Sequence, residues 1–181
     1  IIAKGRTANT ARHAFVTLQK ALRDAERRGV IIANPCRRVD PPQVKEFRVN
    51  PPTIQDVHAI IDQVAEPEYK TAFRLSASTG IRRGELAALN WQNIDFDRGV
   101  INIAQAAQRT NKGDVEIGEP KPSSSRRGIM IDEHLVGYLK QLFSDQQARV
   151  LSGGGAIVDH GWVFPDHVGN LNDPDRLTRV W

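Results

Sequence analysis

Cysteine is nearly absent from this sequence, since a single one, Cys36, occurs among 181 residues. It has no partner for an internal disulfide, so nothing indicates an oxidising compartment, and a cytoplasmic protein is the default expectation. No apolar run is long enough to cross a bilayer, and no signal-peptide pattern opens the chain, so we expect no membrane partner. The five histidines show neither His-x-x-x-His spacing nor a cysteine pairing. We therefore expect no metal site.

The charge of the chain is moderately basic. Its net charge is +4 and its sequence pI is about 9.5. This balance is compatible with a polyanionic partner but does not require one, because many basic proteins bind no nucleic acid. One predicted helix has a basic face made of Arg12, Lys20, Arg23, Arg27 and Arg28. That face is either solvated or directed at DNA, and the pattern alone does not decide between them.

Proline placement divides the chain into two units. Phe15, Leu18, Leu22 and Ala25 recur at helical spacing and predict a helix over residues 10–28, with Gly29 as its stop. Residues 34–52 hold Asn34-Pro35 and two Pro-Pro pairs, which disfavour regular structure and predict an interdomain linker. We therefore expect a helical unit over residues 1–33 and a second unit over residues 53–181.

The second unit is predicted to be mainly α-helical with a small three-stranded antiparallel sheet. Helix starts are expected at Thr53, at Pro67 and at Asp132, and a short helix is expected over residues 83–89. Period-two alternation predicts short strands around residues 94–96, 100–105, 115–118 and 128–131. A pair, Val163-Phe164, is expected to be buried. A further helix is expected to start at Asp173-Pro174.

Residues 79–86 carry the clearest chemical pattern. Gly80 ends one helix, and Arg82 stands at the start of the next, where a guanidinium fork and helix N–H groups suit a phosphate. Glu85 follows one turn later and is placed to hold that guanidinium. For an isolated Arg-x-x-Glu, surface arginines and an ordinary helix salt bridge would be the usual interpretation. Here the longer pattern, Thr-Gly-x-Arg-x-x-Glu-Leu, resembles the first active-site box of the tyrosine recombinase (phage integrase) family.

That resemblance extends along the chain. The first predicted helix and Asn34-Pro35 are similar to the end of the family's core-binding domain, and Trp91 to Phe96 to its Trp-x-x-Ile-Asp-Phe stretch. Residues 119–129 are similar to the segment Pro-Lys-Thr-x-x-Ser-x-Arg-x-Ile-Pro, which makes Lys121 the candidate catalytic lysine. Pro122 replaces the usual Thr and Met130 the usual Pro, so Lys112 stays open as the alternative.

The resemblance implies a catalytic-domain fold of the DNA breaking-rejoining type and a specific chemistry. Arg82 would be the first catalytic arginine, supported by Glu85. A tyrosine would attack the phosphodiester to form a 3′-phosphotyrosyl intermediate with neither metal nor cofactor. The implied partner is double-stranded DNA, held as by a clamp, and the implied assembly is a homo-tetramer on recombining DNA. Arg12, Lys112, Arg126 and Arg127 are predicted phosphate contacts.

Two parts of the family's active site have no match. No His-x-x-Arg box begins at His160 or His167, and the two tyrosines, Tyr69 and Tyr138, precede any such box. We expect both tyrosines to be packing residues, the chain to be a fragment, and this span to be unable to cleave DNA. Two alternatives stay open: a DNA-binding remnant or regulator without the chemistry, and a basic helical binding domain whose arginine box is accidental.

Overall fold

The computed structural model describes residues 7–44, 49–110, 113–118, 126–153 and 159–179. Contacts divide the chain into two compact units, Ile1–Pro51 and Pro52–Trp181. None of the helices in these described ranges is long and apolar enough to cross a membrane.

The first unit is built on one long helix, α1 (Ala8–Arg27), which starts two residues before the predicted position. Thr7 caps it by accepting a hydrogen bond from the Thr10 N–H, and Gly29 after it takes a positive φ of 72°. Leu18, predicted on the apolar face, is 52% exposed. Only part of the predicted apolar face is therefore covered.

A short 3₁₀ helix, Pro35–Arg38, lies in the segment that was expected to lack regular structure, so that expectation is wrong at this point. The buried Asn34 side chain explains it. Its Oδ1 accepts a hydrogen bond from the Cys36 N–H, and its Nδ2 donates to the Gln19 carbonyl at 3.2 Å. Because these bonds tie the turn to α1, the turn belongs structurally to the first unit.

The second unit contains the remaining helices: α2 (Ile54–Gln63), α3 (Pro67–Thr79), α4 (Arg83–Ala87), α5 (Glu133–Ser152) and α6 (Pro174–Arg179). The starts predicted at Thr53, Pro67 and Asp132 are confirmed. Thr53 and Asp56 form a reciprocal capping box, and Asp132 accepts from the Leu135 N–H at 2.8 Å. The predicted helix over residues 83–89 is two residues shorter in the structure.

The strands form two small sheets rather than one. β1 (Ile94–Asp95), β2 (Val100–Ile103) and β5 (Arg127–Met130) make the predicted three-stranded antiparallel sheet in the order β1-β2-β5. Ile101 pairs with Ile129 at its centre. β3 (Ala106–Arg109) and β4 (Val115–Gly118) form a separate two-stranded ladder. The alternation pattern predicted no separate strand at β3.

The core of the second unit joins α3, α4, α5 and the inner face of the sheet. Val163 and Phe164 are fully buried, as predicted, and Ile101 and Leu139 are completely buried beside them in the same cluster. A hydrogen bond from Trp91 Nε1 to Gln146 Oε1, 2.9 Å long, ties the chain after α4 to α5. Leu86 and Ala87 of α4 are buried in the same cluster, which anchors that helix to the core.

Candidate active site

The candidate site begins where α3 ends and α4 starts. Gly80 closes α3 in the left-handed conformation, with φ 63°. Thr79 steadies the turn, because its hydroxyl accepts a hydrogen bond from the Ile81 N–H and donates to the Leu75 carbonyl. Ile81 is buried in the core. These local bonds place Arg82 at the cap position of α4.

Arg82 and Glu85 are joined as the motif predicts. Arg82 Nη1 donates to Glu85 Oε1 at 2.9 Å, and the Arg82 backbone N–H donates to Oε2 at 3.0 Å. The Glu85 side chain is only 3% exposed, whereas the Arg82 side chain is 70% exposed. The buried carboxylate therefore holds one edge of a guanidinium whose remaining surface faces solvent.

A second arginine binds the same carboxylate. Arg127, at the start of β5, donates from Nη1 to Glu85 Oε1 at 3.0 Å and from Nη2 to Oε2 at 2.8 Å. Arg127 was predicted as a phosphate contact, but in the structure its guanidinium grips Glu85 in the bidentate geometry that suits a carboxylate. The sequence offered one signal for this pairing, the arginine of the Ser-x-Arg-x-Ile pattern, and gave no means of choosing its partner.

The pKa values follow from this arrangement. Burial alone would raise the pKa of Glu85. Hydrogen bonds from the Arg127 side chain and from the backbone and side chain of Arg82 outweigh burial and lower that pKa to about 2. The same bonds to Glu85 raise the pKa of Arg127. Glu85 is consequently an anion throughout the physiological pH range, and it acts as a structural charge rather than as a proton donor.

Gly84 allows α4 to approach β3. A Cβ atom added at Gly84 would lie 2.5 Å from the carbonyl oxygen of Ala107, closer than real Cβ contacts come. This glycine was not predicted as a site residue, because in the motif it occupies an unspecified position. The need for a glycine at this position becomes evident only in the folded structure, where β3 lies against α4.

Arg83, the second arginine of the box, faces α6 instead. Its Nη1 donates to Asp175 Oδ1 at 2.6 Å and lies 3.4 Å from the Thr178 hydroxyl. Arg109 from β3 meets the same acidic helix start, with Nη2 lying 3.2 Å from Asp173 Oδ2. The neighbouring residues Arg82 and Arg83 thus have different partners. Arg82 is exposed beside Glu85, and Arg83 is paired with Asp175 of α6.

The two lysine candidates lie outside the described residues. Lys121 falls within residues 119–125, between the end of β4 and Arg126, and Lys112 falls within residues 111–112. Arg126 is exposed at the described edge of that segment. Arg12, the remaining predicted DNA contact, is exposed on α1 and donates to the Pro42 carbonyl at 3.4 Å. The structure therefore brings Arg82, Glu85 and Arg127 together and leaves the lysine a prediction.

Both tyrosines make packing contacts through their rings. Tyr69 packs against the core of the second unit, and the Arg74 guanidinium lies 4.2 Å from the centre of the Tyr138 ring. Among the described residues, no group of three or more His, Cys, Asp or Glu side chains could hold a metal ion.

Comparison with known proteins places this chain in a family. Residues 51–179 match the model of the phage integrase family. The tyrosine recombinase XerC-like protein of Caldanaerobacter subterraneus subsp. tengcongensis is 24% identical over 98% of this chain and 50% of its own length. The prophage integrase IntR of Escherichia coli K12 is 26% identical over 77% of this chain and 33% of its own length. The chain thus spans half or less of these relatives.

The fold agrees with solved structures of the same kind. The Tn1549 transposon integrase in complex with a circular intermediate DNA superposes with a TM-score of 0.73 at 21% identity, over 93% of this chain and 54% of that chain. A lambda integrase bound to a core site superposes with a TM-score of 0.62 at 18% identity, over 99% of this chain and 45% of that chain. The fold is the tyrosine recombinase catalytic-domain fold of the DNA breaking-rejoining type. This chain belongs to the phage integrase family of tyrosine recombinases.

Proposed function

We propose that the protein to which this chain belongs is a site-specific tyrosine recombinase, which cuts and rejoins double-stranded DNA. The observation that carries the proposal is the exposed Arg82 guanidinium held by the buried Glu85 carboxylate. The family match supports the same function. In this proposal residues 1–33 are the end of the core-binding domain, residues 34–52 the linker, and residues 53–181 the first part of the catalytic domain.

The role of Arg82 follows from the charge that phosphoryl transfer creates. As an oxygen nucleophile attacks phosphorus, negative charge builds on the two non-bridging oxygens. A guanidinium matches those oxygens with paired N–H donors and keeps its proton at any physiological pH. Because Glu85 binds one nitrogen of Arg82 and leaves the side chain 70% exposed, donors stay available for a phosphate.

The other steps need residues that are not described in the structure. A tyrosine oxygen would form the new bond to phosphorus while the bond to the 5′-oxygen breaks, and Lys121 would protonate that leaving oxygen. The product is a 3′-phosphotyrosyl ester and a free 5′-hydroxyl. Attack by another 5′-hydroxyl reverses the step and rejoins a strand without ATP. Lys112 is the alternative proton donor.

Binding and assembly complete the proposal. Arg12, Lys112 and Arg126 would contact phosphates of the duplex, and four copies of the full-length protein would assemble on recombining DNA in the cytoplasm. Phosphate contacts release counterions, so duplex affinity of the full-length protein should fall steeply between about 50 and 200 mM salt. Affinity that is independent of salt would argue against these contacts.

Covalent capture tests the chemistry without knowledge of the target site. The full-length protein is incubated with a pool of random-sequence duplexes in the presence of EDTA, denatured with detergent, and examined for DNA attached to protein. We expect recovered DNA to be joined through its 3′-phosphate to a tyrosine. Salt-sensitive duplex binding without any covalent product would instead favour the DNA-binding remnant or regulator. The absence of both would overturn the proposed function.

A further inference from the structure

The Glu85 carboxylate joins two distant parts of the second unit. Arg82 and Glu85 belong to the start of α4, whereas Arg127 lies 42 residues after Glu85, at the start of β5. Each carboxylate oxygen accepts two hydrogen bonds of 2.8 to 3.0 Å, one from each arginine. The arginine box is thus connected directly to the strand that follows the predicted lysine segment.

The two arginines hold the carboxylate differently. Arg127 uses both terminal nitrogens of its guanidinium, one on each oxygen, and this parallel pair fixes the plane of the carboxylate. The Arg82 side chain contributes one bond, from Nη1 to Oε1, and its second bond to Glu85 comes from the backbone. Arg127 therefore sets the orientation of the oxygen to which the Arg82 guanidinium is attached.

The net charge of Arg82, Glu85 and Arg127 is a second reason to give the two arginines different roles. Glu85 alone beside Arg82 would cancel the positive charge that a phosphate needs. With Arg127 included, the three groups carry one negative and two positive charges, so one positive charge remains. The location of this remaining charge follows from exposure, because the Arg82 side chain is 70% exposed and the Arg127 side chain is 33% exposed. The excess positive charge therefore lies on the side of Arg82.

We propose that Arg127 is a positioning residue for Arg82: it fixes and electrically balances the Glu85 carboxylate, so that the Arg82 guanidinium is held in place and keeps its charge for the scissile phosphate. The inference rests on the proposed function. It replaces the prediction that Arg127 is primarily a phosphate contact. The two roles leave different kinetic signatures, since a positioning residue governs the rate of cleavage on bound DNA and a phosphate contact governs affinity.

The first experiment separates these signatures with Arg127→Met in the full-length protein. Single-turnover cleavage is measured at saturating protein on a duplex recovered by covalent capture, and affinity is measured on the same duplex. We expect cleavage to slow by about 10²-fold, as misplacement of a transition-state group does, while duplex affinity changes by less than about twofold. Unchanged cleavage with weakened affinity would show that Arg127 is a phosphate contact and would overturn the inference.

Arg98→Met is the matched control. Arg98 lies in the turn between β1 and β2, its side chain is 83% exposed, and its substitution removes the same charge. We expect this variant to cleave at the wild-type rate. If Arg98→Met slows cleavage as much as Arg127→Met, a general charge effect explains both and the inference fails.

If Arg127→Met does not fold, as judged by circular dichroism, Arg127→Lys replaces it. This variant keeps the charge but loses the paired donors of the guanidinium, and it should cleave at an intermediate rate.

A double-mutant cycle tests whether Arg127 acts through Glu85. In a Glu85→Gln background, Arg127→Met should slow cleavage further by less than about threefold, because the carboxylate on which it acts has been removed.

A pH profile of cleavage adds a readout that a purely structural role would leave unchanged. Without the Arg127 fork the buried carboxyl should protonate at higher pH, so Arg127→Met should lose cleavage toward acid sooner than the wild type. Full additivity in the cycle, or identical pH profiles, would contradict the inference.

Failure of the two proposals can be told apart. If the wild-type protein forms no covalent product, the proposed function fails and the inference fails with it. If the wild type cleaves and Arg127→Met cleaves within about twofold of it, only the inference is overturned.

Discussion

Gly84 lies so close to Ala107 that a Cβ on the glycine would stand 2.5 Å from the Ala107 carbonyl oxygen. The backbone of β3 is on one side of this contact and the start of α4 on the other. The arginine box can therefore pack this closely against β3 only because residue 84 has no side chain.

Gly84→Ala should destabilise the chain by about 1–3 kcal/mol, because either α4 or β3 must move to admit the methyl group. Denaturant unfolding followed by circular dichroism measures the effect. Gly137→Ala is the matched control, since Gly137 is an exposed position of α5 where an added Cβ meets nothing within 4 Å. It should stabilise by about 0.5–1 kcal/mol. A Gly84→Ala variant as stable as the wild type would contradict the close approach.

Acidification should remove the stabilisation that ionised Glu85 provides. Its pKa is lowered from 4.5 to about 2, so this stability is fully present above about pH 4.5 and is lost as pH falls toward 2. A shift of this size corresponds to about 3 kcal/mol. The difference in unfolding free energy between wild type and Glu85→Gln should therefore shrink as the pH drops from 5 to about 2. Glu116→Gln removes the same charge at an exposed position of β4 and serves as the control.

A difference between wild type and Glu85→Gln that stays constant over this pH range would show that Glu85 is not held as an anion by the two arginines. A trend of the same size in Glu116→Gln would assign the effect to general charge repulsion instead.

Lys121→Ala should slow strand cleavage in the full-length protein, because the 5′-oxygen would then leave without a proton. A substrate in which sulfur replaces that 5′-oxygen needs no proton to leave and should restore the rate. Lys112→Ala, tested with the same pair of substrates, is the comparison. Rescue confined to Lys112→Ala would move the role to Lys112, and a lack of rescue in both would remove it from either lysine.

The sequence predicted the elements whose signals are local. Thr53 and Asp132 are helix caps that can be identified from a few neighbouring residues, and Pro67 suits a first helical turn wherever it occurs. The link between Arg82 and Glu85 was also predictable, since three residues along a helix bring the two side chains together. The burial of Val163 and Phe164 followed from their apolar character.

Features that depend on contacts between distant segments were not predicted. β3 reads Ala-Ala-Gln-Arg, which has little strand propensity, and it becomes a strand by pairing with β4. The partner of Arg127 could not be inferred, because Glu85 is 42 residues away and only the folded sheet brings them together. Gly84 was overlooked for the same reason. The features of the site that the sequence did not predict are the contacts of α4 with β3 and with β5.

The most direct test of the account compares Arg82→Ala with Arg83→Ala in the full-length protein. The two arginines are neighbours, but Arg82 is exposed beside Glu85 and Arg83 is paired with Asp175. Covalent capture and duplex affinity are measured for each. Arg82→Ala should abolish the covalent product, with a loss of at least about 10³-fold, while most duplex affinity remains. Arg83→Ala should cleave within about threefold of the wild type, because an exposed ion pair contributes little. Covalent product from Arg82→Ala at near the wild-type rate would contradict the assignment of this site.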